Sequence, residues 1–202
     1  MADVQKTYSL VAAGFVLALV AGFAYLPLLA SVGSAGRILL AILAFVPLFI
    51  VMYRPGLGTY LLFAAVTEGY VLSIVPVLAA AYGPIVFGIV AGGALAFAVA
   101  ALVFNEREVG ESAGRAAFAL IVIALIGSLA LVIGSFFQWY SYELDLVTTV
   151  IALIAFLLFA AYDASKVRQY PDEYRAAVQL LIDLVGIVVE LLRLFVLTRE
   201  RE

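Results

Sequence analysis

The sequence predicts an all-α integral membrane protein with seven transmembrane helices, and three observations predict it. Of 202 residues, 67% are hydrophobic and 12% are charged, against about 45–50% apolar and about 25% charged in an average soluble domain. The mean hydropathy is +1.21, so there are too few polar residues to coat a water-facing globule of this size. The apolar residues fall into seven runs, most of them near the roughly 20 residues with which a helix crosses a hydrocarbon core of about 30 Å. These runs lack the alternation of apolar and polar residues that barrel strands show, which argues against a β-barrel.

The first run, Ser9–Ala30, carries no charge. It is too long for the apolar stretch of a signal peptide and Lys6 gives only a thin basic flank, so it is read as a spanning helix. Ile38–Tyr53 follows the break Gly33-Ser34-Ala35-Gly36 and is short, so its helix either runs past these limits or ends within the bundle. Gly58–Ala80 follows Pro55-Gly56 and holds Glu68. Pro84–Phe104 opens after Tyr82-Gly83 with a proline suited to a first turn, and Ala116–Phe137 is likewise uncharged. Leu146–Tyr162 is short, and Ala176–Thr198 follows Tyr170-Pro171-Asp172 and holds Asp183, Glu190 and Arg193. No polar stretch is long enough for a soluble domain, so residues 1–202 read as one transmembrane domain. Small residues cluster at Gly88, Gly92 and Gly93 and at Gly127, Ser128, Gly134 and Ser135. They let helices approach closely. Packing within one chain is the simpler use of them, so a monomer is expected over a dimer.

Lys and Arg near the helix ends set the orientation. Lys6, Arg54, Arg107, Arg115, Lys166, Arg168 and Arg175 fall on one side, and Arg37, Arg193, Arg199 and Arg201 on the other. The bias places the N-terminus in the cytoplasm and the C-terminus outside. The loop Gln138-Trp139-Tyr140-Ser141-Tyr142-Glu143-Leu144-Asp145 has three aromatics, two acids and no base, as an outer interfacial belt would. The net charge of −3 leaves no basic footprint for nucleic acid.

The chain has no His and no Cys. Triad hydrolysis through histidine, thiolate catalysis, disulfides and zinc or iron–sulfur ligation are excluded. Any pH response falls to carboxylates, and any metal held by side chains must be a hard, oxygen-liking ion such as Ca²⁺, Mg²⁺, Na⁺ or K⁺. No cofactor is expected.

A charge at the bilayer centre costs at least about 2.5–3.5 kcal/mol, so acids within the spans are functional candidates with partners to be found. Glu68 lies near mid-membrane, where it either lines a water-filled path or stays protonated and packs helices. Glu190 and Arg193 are three residues apart and form either part of an ion path or a structural ion pair. Asp183 has no base within helical reach, since positions 179, 180, 186 and 187 are Gln, Leu, Gly and Ile. Asp163 is its expected neighbour. On antiparallel helices six and seven the two would differ in depth by roughly 3 Å. Two carboxylates in one low-dielectric site cannot both ionise cheaply, so they share a proton. Asp163 alone also reads as a solvated helix-end residue.

Three stretches resemble the Bax inhibitor-1 family, the transmembrane Bax inhibitor motif proteins. They are Phe63-Ala64-Ala65-Val66-Thr67-Glu68-Gly69-Tyr70-Val71-Leu72-Ser73, Ala161-Tyr162-Asp163-Ala164-Ser165-Lys166-Val167, and helix seven with Asp183 followed ten residues later by Leu191-Leu192-Arg193. The resemblance covers helices two to seven. It implies six helices around a central C-terminal seventh and a pH-sensitive calcium leak, with Asp163 and Asp183 as sensor, gate and Ca²⁺ ligands. Two features depart from the family. Gly186 stands where Asn is frequent, and helix two lacks the Glu that in many members latches to an Arg; Glu68 or Glu190 are the substitutes at hand. With no long basic tail, the chain suits a prokaryotic plasma membrane.

The expected function is a proton-gated, calcium-permeable leak, with the lipid bilayer, Ca²⁺ and protons as partners. The alternative is a membrane-embedded modulator of a protease or another membrane complex. An enzyme is not expected: Tyr162-Asp163 resembles one half of an intramembrane aspartyl protease site, but no Gly-x-Gly precedes Asp183.

Overall fold

The computed structural model describes residues 1–105, 107, 109–137 and 139–199, without the side chains of 34, 35, 135 and 136. Of the sequence expectations, the side chains of Ser34, Ala35 and Ser135, the loop residue Gln138, and Arg201 in the charge bias lie outside this description. Among the described residues the chain is helical and has no strand. The helices are α1 (Val4–Ser31), α2 (Ser34–Ala44), α3 (Val46–Tyr53), α4 (Leu57–Phe63), α5 (Gly69–Val71), α6 (Ile74–Tyr82), α7 (Ile85–Phe104), α8 (Glu111–Phe136), α9 (Tyr142–Lys166) and α10 (Glu173–Arg199). A π turn, Ala64–Glu68, joins α4 to α5, and a 3₁₀ turn, Val167–Gln169, follows α9.

All seven apolar runs are helical, and several helices extend past them. The sixth expected run, Leu146–Tyr162, lies inside α9, which gains a turn at each end. Glu143 and Asp145 stand in its first turn and Lys166 in its last, where each charge complements the helix dipole. In α1, the Asp3 side chain accepts from the Lys6 N–H at 2.9 Å and caps the helix ahead of its apolar run.

The second and third runs are interrupted. Pro47, at the start of α3, has no N–H to donate to the turn before it. The chain therefore breaks at Phe45, whose N–H reaches only three residues back, to the Ile42 carbonyl. The third run first widens into the π turn and then breaks at Leu72-Ser73, ahead of Pro76 in the first turn of α6.

Six segments are long and apolar enough to cross a membrane: Val4–Ser31, Gly36–Tyr53, Leu57–Tyr82, Ile85–Phe104, Glu111–Gly134 and Tyr142–Gln169. The expected seventh, α10, is too charged to count with them, because Glu173, Arg175, Asp183, Glu190, Arg193 and Arg199 interrupt it. Its apolar side chains are nonetheless buried, with Leu180, Leu181, Ile187, Val188 and Leu192 fully covered. The other helices present large apolar side chains outward, among them Val16, Val20, Ile38, Phe49, Leu95 and Leu125. Such a surface is suited to lipid and not to water.

The chain divides into two compact units. The first comprises Met1–Gly88 and Lys166–Val185. In it, α1 packs on the π turn, α5 and α6. The approach is close enough that a Cβ at Gly22 would lie 2.9 Å from the Leu72 carbonyl oxygen, so only glycine fits there. Tyr60 and Thr67 are buried and donate to the carbonyls of Leu10 at 2.7 Å and Ala44 at 2.6 Å. The second unit comprises Ile89–Ser165 and Gly186–Glu202. In it, α9 and the C-terminal half of α10 run antiparallel. Gly186 lies against the Phe156 ring, and Arg193, two turns on, reaches Asp145 near the start of α9.

Candidate functional site

Three of the acids singled out from the sequence are buried: Glu68 and Asp183 are each 4% exposed and Asp163 is 7% exposed. Glu68 closes the π turn, an element that carries one residue more per turn than the α-helix and recurs at functional sites. Thr67 holds the turn through the Ala44 carbonyl, and Gly69 lets it sit against Ala21 of α1. Among the described residues, no hydrogen bond reaches the Glu68 side chain. The Tyr60 phenol is within its electrostatic reach.

Asp163 stands in the last turn of α9 and belongs to the second unit, whereas Asp183 stands in α10 among Leu180, Leu181 and Ile187 and belongs to the first. Both are on helices joined by a connection of six residues, 167–172. Among the described residues no group of three or more acids is arranged to hold a metal ion.

Arg193 does not pair with Glu190 as its spacing suggested. Its guanidinium forms an ion pair with Asp145, whose other carboxylate oxygen accepts from the Tyr140 hydroxyl at 2.8 Å. Two residues three apart on one helix must bend toward each other over a shared surface. An acid on a facing antiparallel helix meets a long arginine head-on. Asp145 was read from the sequence only as part of an interfacial loop. The signal that would have found it is charge balance: it is an acid in a loop without a base, next to a helix whose outer half carries one. Glu190 lies within reach of both charges, and its Oε2 is buried without a hydrogen bond.

A second polar contact joins the two ends of the first unit. Lys6 forms an ion pair with Glu173 and lies 5.4 Å above the Tyr174 ring. The Ala2 N–H donates to the Tyr170 carbonyl at 3.1 Å, and Arg175 donates to the Met52 carbonyl at 3.0 Å. The hydrogen bond from Lys6 holds the Glu173 carboxyl below the usual carboxylate range.

Long apolar helices with an outward apolar surface and with acids shut inside them define a polytopic α-helical membrane protein. Residues 2–200 match the protein family described as "Inhibitor of apoptosis-promoting Bax1", and the chain belongs to that family. Among curated proteins, none matches the chain.

Proposed function

We propose that this protein is a pH-sensitive, calcium-permeable leak in which Asp163 and Asp183 share a proton and act as sensor and gate, with Ca²⁺ competing for the same oxygens. The observation that carries this reading is the burial of both aspartates at the two sides of one short connection, in a chain without histidine. In this reading α10 is the seventh span and lies at the centre of the other six. Its buried leucines and its buried acid support that place, since a helix with this many charges is stable only inside protein. The protein is a monomer in a prokaryotic plasma membrane, with its N-terminus in the cytoplasm.

The shared proton bridges the two aspartates and favours a closed state. Raising the pH removes it and leaves two like charges. At about 4 Å and an effective dielectric near 20, they repel by about 4 kcal/mol. That is comparable to the roughly 5.5 kcal/mol that carries a two-state element from 1:99 to 99:1, so the pair biases the gate strongly without setting it alone.

Ca²⁺ flux into liposomes containing the purified protein, measured at acidic and neutral pH, tests the reading. Asp163→Asn or Asp183→Asn is expected to flatten the pH dependence, and the double substitution to add little. Additive effects, or a profile that neither substitution moves, would show that the aspartates are not a coupled pair. Absence of any flux would favour a modulator of other membrane proteins.

A further inference from the structure

The second unit contains a polar cluster that the aspartate pair does not use. Asp145 and Thr149 stand one turn apart on α9, and Glu190 and Arg193 stand three residues apart on α10. The Arg193–Asp145 ion pair joins the two helices there, and Tyr140 contributes its hydroxyl hydrogen to Asp145. Two carboxylates stand near one guanidinium, which pairs with Asp145 and, among the described residues, leaves Glu190 without an ion pair. The oxygens are not all satisfied either. Glu190 Oε2 and Thr149 Oγ1 are buried without a hydrogen bond, and Thr149 is fully covered. A buried oxygen without a donor is costly. A second positive charge would remove both deficits at once.

We propose that Asp145, Thr149 and Glu190 form a binding site for a hard divalent cation, with Arg193 as the resident counter-charge that gives way when the cation arrives. The donors are two carboxylates and a hydroxyl, an all-oxygen set that suits Ca²⁺. That ion tolerates irregular geometry and completes its shell with water. Arg193 can withdraw because it is held by one ion pair on the α9 side and its side chain is long and half-buried. The site is separate from Asp163 and Asp183, and it does not depend on whether ions pass through the protein.

The test is equilibrium binding of radioactive Ca²⁺ to the full-length protein in nanodiscs. It is carried out in an Asp163→Asn/Asp183→Asn background, so that the aspartate pair contributes nothing. Saturable binding is expected to persist there. Glu190→Gln should weaken it by about tenfold or more, and Arg193→Gln, which removes the competing charge, should strengthen it by about tenfold. Because Arg193→Gln leaves two carboxylates facing each other and can fail to fold, Thr149→Val provides an uncharged, shape-conserving variant that should weaken binding several-fold. Loss of all binding in the double-Asn background would overturn the proposal, and so would affinities unchanged by both Glu190→Gln and Thr149→Val. Since binding and not flux is read, a protein that binds here but passes no ion counts against the leak alone.

Discussion

A carboxyl group buried at the end of a π turn, with no side-chain hydrogen bond among the described residues, holds its place either as a neutral acid or as part of a wet path. Glu68 distinguishes these by one substitution. Glu68→Gln keeps the shape and hydrogen-bonding capacity and removes the ability to ionise. If Glu68 lines the ion path, cation flux in liposomes falls several-fold while the melting temperature in detergent stays within a few degrees. A variant with unchanged flux and altered stability assigns Glu68 to packing alone. The burial of Glu68 and Asp183 was legible in the sequence, because an acid within an apolar span has only the protein interior to go to; Asp163, one residue past its run, read equally as a solvated helix-end residue, and the structure buries it. The partner of Arg193 was not. Helical spacing reports neighbours on one helix, and Asp145 becomes a neighbour only once α9 and α10 are antiparallel.

Along each helix, the apolar runs located the centres of the elements, while polar residues set their ends. Glu143 and Asp145 looked like loop residues by hydropathy yet belong to the first turn of α9, because dipole and capping effects act where hydropathy is silent. The π turn left no mark either, since hydropathy does not register the one extra residue by which such a turn differs from an α-helical one. Gly186 tests the α9–α10 contact directly. A Cβ there would lie 2.5 Å from the Phe156 ring, so Gly186→Leu is expected to lower stability by about 1–3 kcal/mol through overpacking. Adding Phe156→Ala should recover part of that loss in thermal unfolding. The Lys6–Glu173 contact between α1 and α10 has a pH signature. Its carboxyl is held below the ordinary value of 4.5, so its contribution is complete above that value and is lost as pH falls through the lowered one. Acid titration of the melting temperature should therefore show a smaller drop in Glu173→Gln than in the parent protein. Equal drops in the two would mean that this ion pair does not stabilise the fold.

For the molecule as a whole, orientation is the quantity most open to a direct measurement. The absence of native cysteine makes single-cysteine labelling clean. Ala2 is a poor probe position because it is buried against Tyr170; Gln5 and Thr198 are exposed. In intact cells an impermeant thiol reagent is expected to label Thr198→Cys and spare Gln5→Cys, and the opposite pattern would invert the orientation. The division of α10 bears on how the protein is made. Residues up to Val185 belong to one unit and those from Gly186 onward to the other, and both follow every other described helix in sequence. Neither unit has all its parts until this helix has left the ribosome. The six apolar segments can enter the bilayer one by one on their own hydrophobicity. A helix carrying Asp183, Glu190 and Arg193 meets a barrier of about 2.5–3.5 kcal/mol for each charge near the midplane, unless the protein interior awaiting it is already in place. The charged α10 therefore enters most readily once the other parts of both units are present, and a chain stalled before α10 would leave two unfinished units for quality control to find.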